Sequence, residues 1–126
     1  MPRDPMKLLM RLTAVAILAV CLTLMIGPFG GVEASTNIWD KGAHFVVFGL
    51  FLWSFGVLFR RLPRLWCAAL TVALGAAVEV VQGLVGRDAS WGDLLADTLG
   101  VAVALLLWVL WRRFETRTAF QTSNTR

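Results

Sequence analysis

Hydrophobic side chains run along this sequence in four long blocks, residues 8–27, 42–59, 65–85 and 94–111, each broken by only a few polar positions. Every block is close to the ~20 apolar residues that an α-helix needs to cross about 30 Å of hydrocarbon. Polarity does not alternate along the blocks, as it does in the strands of a membrane β-barrel. The connectors are short except for 28–41. The pattern predicts an all-α polytopic membrane protein, a bundle of four transmembrane helices. Residues 1–113 make up that membrane domain. Residues 114–126, "FETRTAFQTSNTR", read as a polar cytoplasmic tail without regular structure.

Punctuation supports the division. Pro28, Gly30 and Gly31 close the first span, and Pro63 sits in the tight "RRLPR" turn. Asp40 is placed to cap the second helix. Ser90 and Asp93 have the S-x-x-D spacing of a capping box at the start of the fourth. Trp39 falls at one interface, and Trp108 and Trp111 fall at the other. Rows of small residues four apart, Ala69, Ala73 and Ala77 on the third span and Ala96, Gly100 and Ala104 on the fourth, predict faces where helix backbones approach closely.

Composition sharpens this picture. Apolar residues make up 58% of the 126 positions, and mean hydropathy is +0.72. The net charge of +4 is not a nucleic-acid signal, because its distribution follows membrane orientation. Arg3, Lys7 and Arg11 stand at the first span, Arg60, Arg61 and Arg64 between the second and third, and Arg112, Arg113, Arg117 and Arg126 after the fourth. Only Lys41 and Arg87 fall on the other side. The positive-inside rule then puts both termini and the 60–64 turn in the cytoplasm. Cys21 and Cys67 lie inside different apolar runs at different depths, which suits small buried side chains better than a disulfide. A basic start, an apolar stretch and "GVEAS" also resemble a signal peptide cut after Ala34. Loss of residues 1–34 would leave three spans in the same orientation.

The chemistry lies in the polar positions within the blocks. An ionisable group at mid-bilayer costs roughly 2.5–3.5 kcal/mol on the milder insertion scale, so it should face other helices or water. Asp40 and His44 are i, i+4 neighbours, with Phe48, Phe51 and Phe55 continuing their face as an apolar floor. Ala68, Gly75, Glu79, Gln82 and Gly86 share a stripe on the third span, and Asp93, Asp97, Gly100 and Ala104 share one on the fourth. Three helices thus bring acids, an amide and the single histidine to one level, near the outer face. Structural alternatives stand beside this. Asp40 and Asp93 also serve as caps, Lys41 as a snorkelling interfacial lysine, and Glu79, Gln82 and His44 as partners in interhelical hydrogen bonds. Lys41, Arg87 and two helix N-termini at that level favour an anion. The clustered acids would suit a divalent cation bridging to phosphate, although their spacing fits no metal motif and no metal ligand is assigned.

"DKGAHF", "EVVQ" and "RDASWGDLLADTLG" together resemble the VanZ-like family of small bacterial membrane proteins. That family's pattern reads D-K-x-x-H-F, then E-x-x-Q, then R followed by D-x-x-x-N-x-x-G. It falls here on Asp40, Lys41, His44, Phe45, Glu79, Gln82, Arg87, Asp93 and Gly100, and covers residues 40 to about 107. Asp97 stands where the family usually has asparagine, which replaces a donor–acceptor with an acceptor alone. The resemblance implies a multi-pass protein of the bacterial inner membrane with a role at the cell envelope. The family takes its name from a member linked to resistance to the glycopeptide teicoplanin.

Three functions follow as expectations. The first is an enzyme acting on the anionic head group of a membrane lipid or lipid-linked envelope precursor. In it His44 is base or nucleophile, oriented by Asp40 or Glu79, and Lys41, Gln82, Arg87, Asp93 and Asp97 hold substrate. The second is a non-catalytic accessory protein that binds the same group. The third is an ion-coupled transporter using Glu79 and Asp97, which four unbroken spans favour least unless the chain oligomerises.

Overall fold

The computed structural model describes the backbone of residues 4–27, 37–86 and 90–123 and the side chains of residues 4–27, 40–86 and 90–117. Four helices follow one another: α1 (Pro5–Ile26), α2 (Asn37–Leu58), α3 (Arg64–Leu84) and α4 (Trp91–Ser123). All four are long and apolar enough to cross a membrane. Helices are the natural solution for such segments, because each satisfies its backbone donors and acceptors internally where no water is available.

The ends of the helices obey local chemistry. Asp4 caps α1, accepting from the Met6 amide at 3.1 Å, and Pro5 occupies the first turn, where its missing N–H is harmless. α2 begins at Asn37, a turn ahead of the sequence expectation, so Asp40 lies in the first turn and not at the cap. A carboxylate there still complements the positive helix end. At α4 the Ser90 hydroxyl accepts from the Asp93 amide at 3.1 Å, as the capping-box spacing predicts. α4 also continues past the membrane block to Ser123, so the stretch expected to lack regular structure is helical through residue 123.

Packing runs in the ring order α1–α2–α4–α3. α2 and α4 share the most extensive interface, and α1 touches α2 and α3 but not α4 among the described residues. Gly100 makes the central interface possible. A Cβ at that position would run into the Phe45 backbone, so α2 and α4 approach as closely as only glycine allows. Ala96 and Gly100 are buried there and Ala104 is half-buried, as the spacing predicts. On α3 the packed row is Ala68, Thr71, Gly75 and Val78, whereas Ala69, Ala73 and Ala77 are exposed. The two rows are offset by one residue, a rotation of about 100°. The polar pair Glu79 and Gln82 pulls the first row inward.

The interior centres on Phe48, Phe51, Leu52, Cys67, Val78 and Val101, with Phe48 and Phe51 meeting edge to face at 5.0 Å. Cys21 and Cys67 are both free thiols. Much of the outer surface is large and apolar, including Leu12, Val20, Val46, Val80 and Leu106, as a lipid-facing surface requires. At the end that carries the 60–64 turn, the Arg64 and Arg112 guanidiniums lie over Trp108, 5.1 and 5.7 Å from its ring centroid.

Candidate functional site

The opposite end of the bundle collects the ionisable groups. There the last turn of α1, the first turns of α2, the last turns of α3 and the first turns of α4 come together. His44, Glu79, Gln82, Asp93 and Asp97 are all buried, and Asp97 is completely so. For charged groups this is a high-cost arrangement that persists only with partners.

His44 is the hub. Its Nδ1 lies 2.8 Å from Asp97 Oδ1 on α4 and 4.0 Å from Glu79 Oε1 on α3. The carboxylate within hydrogen-bond reach is therefore Asp97; the sequence pointed to Asp40 or Glu79 as the orienting acid. With Nδ1–H donated to an ionised Asp97, the ring's lone pair resides on Nε2. The imidazole is stacked parallel to Phe48, with centroids 6.3 Å apart. Gly75 gives Asp97 its space, since a Cβ on that residue would stand 2.9 Å from Asp97 Oδ2 and 3.2 Å from Phe48.

Glu79 bridges α3 to the start of α4. Its Oε2 accepts from the Ser90 amide at 3.0 Å, the bond that the third helical residue makes in an ordinary capping box. Its other oxygen, Oε1, is buried without a hydrogen-bond partner among the described residues, as are Asp93 Oδ1, Asp97 Oδ2 and the Ser54 hydroxyl. Lys41 Nζ approaches Asp93 Oδ1 at 3.6 Å, an ion pair longer than a hydrogen bond. Gln82 makes an interhelical hydrogen bond, the structural alternative that stood beside its motif reading. Its amide donates to the Met25 carbonyl at 2.9 Å and ties α1 to α3. Asp40 is exposed at the rim. Arg87, expected to bind substrate, lies outside the described residues.

Among the described residues, two sets of donors reach coordinating distance. One atom each from His44, Glu79 and Asp97 lies within 4.8 Å of the others, and Asp40, His44 and Asp93 make a second set around the same ring. Beside them a cavity of about 410 Å³ lies between α3 and α4. Its walls are mainly apolar, from Ala76, Val80, Gly83, Trp91 and Leu94, while Glu79 and Ser90 supply its polar surface. Val80 and Trp91 are exposed, so the hollow adjoins the lipid-facing surface. No sequence signal marked this cavity, which depends on how α3 and α4 pack against each other.

Fold and site together define a small polytopic membrane protein with a buried ionisable cluster at one end of a four-helix bundle. The chain belongs to the VanZ/LLP1 family, whose model matches residues 5–112 and so takes in all three polar helices. No curated protein and no solved structure matches it.

Proposed function

We propose that this protein binds the anionic head group of a lipid, or of a lipid-linked envelope precursor, at the outer leaflet of the bacterial inner membrane. The orientation rests on the positive-inside rule, which assigns the arginine-rich 60–64 turn to the cytoplasm and the cluster to the far side. The observation that carries the reading is the pairing of an apolar hollow on the lipid-facing side with Glu79 and Ser90 as its polar surface, Glu79 also standing 4.0 Å from His44, which is hydrogen-bonded to Asp97. An acyl or prenyl chain fits such walls, and a head group fits the polar end. Lys41 and Arg87 are the cationic residues assigned to that side. Binding of a cell-wall precursor there would change how much of it a glycopeptide such as teicoplanin can reach.

The Asp97–His44 hydrogen bond favours a second reading, in which the bound group is also modified. A carboxylate that holds Nδ1–H leaves Nε2 as a general base. Native mass spectrometry of the protein released from nanodiscs distinguishes the outcomes. The parent should retain an anionic lipid or precursor, and Glu79→Gln should retain about 10-fold less, equivalent to about 1.4 kcal/mol. Time-dependent change in the mass of the retained species, abolished by His44→Ala, would establish chemistry. Identical lipid complements in parent and variant would overturn the binding assignment.

A further inference from the structure

We propose that His44, Glu79 and Asp97 hold a divalent metal ion through which the site meets phosphate. This deepens the head-group reading and rests on it for the ion's role. The starting point is an unmet need. Among the described residues Glu79 Oε1 and Asp97 Oδ2 have no hydrogen-bond partner; Asp97 is fully buried, and the Glu79 side chain is only 11% exposed. Glu79 Oε1 faces the imidazole, 4.0 Å from His44 Nδ1. A buried carboxylate oxygen of this kind calls for a donor or a cation.

The geometry suits a cation. Donors bound to one metal at about 2.0–2.2 Å are separated by roughly 3.0–3.4 Å when adjacent. Here Nδ1 is 2.8 Å from Asp97 Oδ1 and 4.0 Å from Glu79 Oε1, with a donor of each residue inside 4.8 Å. The metal takes the place of the Nδ1 proton, which is released to solvent, so the His44–Asp97 hydrogen bond gives way to shared ligation, and small side-chain adjustments close the set. The supporting contacts are also in place: Ser90 N–H holds Glu79 by its other oxygen, and Phe48 stacks on the ring. One imidazole and two carboxylates match Zn²⁺ or Mn²⁺, whereas Ca²⁺ and Mg²⁺ favour all-oxygen surroundings. The alternative set, Asp40, His44 and Asp93, includes an exposed carboxylate and an oxygen already near Lys41.

A metal also removes a conflict in the charge balance. Three buried carboxylates repel a bare phosphate. An ion bound among them, with three protein ligands, leaves coordination positions that phosphate oxygens can take.

The test uses the purified full chain in nanodiscs, stripped with chelator and equilibrated separately with Zn²⁺, Mn²⁺, Ca²⁺ or Mg²⁺. Elemental analysis should find about one Zn²⁺ or Mn²⁺ per chain and little Ca²⁺ or Mg²⁺. Affinity should fall at least about 10-fold in His44→Ala and in Glu79→Gln, and stay unchanged in Glu115→Gln at the far end of the molecule. X-ray absorption at the metal edge of the parent should show one imidazole among oxygen ligands, a result independent of whether any variant folds. No bound metal, metal without imidazole, or unchanged affinity in folded variants would overturn the proposal. Lipid retention is measured in parallel. Metal binding with no retained lipid upholds the metal site while removing the head-group reading. Lipid retained by a metal-free chain whose binding ignores chelator overturns the metal site alone.

Discussion

At the scale of single residues, Glu79 bears the greatest structural and chemical demand. One of its oxygens holds the start of α4 through Ser90, and the other is buried with no hydrogen-bond partner among the described residues. Glutamine preserves an acceptor for Ser90 and removes the charge. Glu79→Gln should therefore leave unfolding free energy within about 1 kcal/mol of the parent in a denaturant titration, while head-group binding falls about 10-fold. Loss of both together would make Glu79 a purely structural residue. His44, Glu79 and Asp97 were legible in the sequence because a charge within an apolar block demands an inward-facing environment. Their pairing was not legible: whether Asp40, Glu79 or Asp97 accepts the histidine's hydrogen bond depends on differences of about an ångström in helix placement. Gln82 was ambiguous for a related reason, since an amide near the end of a span can serve a ligand or a neighbouring carbonyl equally well, and here its amide nitrogen donates to Met25.

At the scale of elements, two contacts decide how the helices are held. Gly100 sets the separation of α2 and α4 against the Phe45 backbone. Gly100→Val should force them apart and destabilise the bundle by about 1–3 kcal/mol, read from thermal unfolding in detergent. Gln82→Leu should have a milder effect, about 0.6 kcal/mol, because it removes one interhelical hydrogen bond. It should also leave metal affinity unchanged, since Gln82 is committed to α1; a large loss of metal would contradict that assignment. The number and approximate limits of the helices followed from the hydrophobic blocks. The packed face of α3 did not, because the alanine row 69, 73, 77 and the row through Ala68 and Gly75 have similar small-residue spacing. Burial of Glu79 decides between them. The helical course of α4 beyond the membrane block was hidden by a polar composition that helix and coil share.

At the scale of the whole molecule, the two ends are chemically opposite: arginines with Trp108 at one, carboxylates around His44 at the other. That asymmetry supports one orientation. In a background with Cys21→Ala and Cys67→Ala, Val85→Cys, exposed at the cluster end of α3, should react with an impermeant maleimide on intact cells, and Leu62→Cys only after permeabilisation. The reverse pattern would place the acidic cluster in the cytoplasm. The central claim, that side chains from separate spans act as one site on a head group, is tested most directly by a double-mutant cycle of His44→Ala and Glu79→Gln on lipid affinity in nanodiscs. A shared site predicts a coupling free energy of at least about 1 kcal/mol between the two substitutions. Effects that add to within about 0.3–0.5 kcal/mol would contradict it.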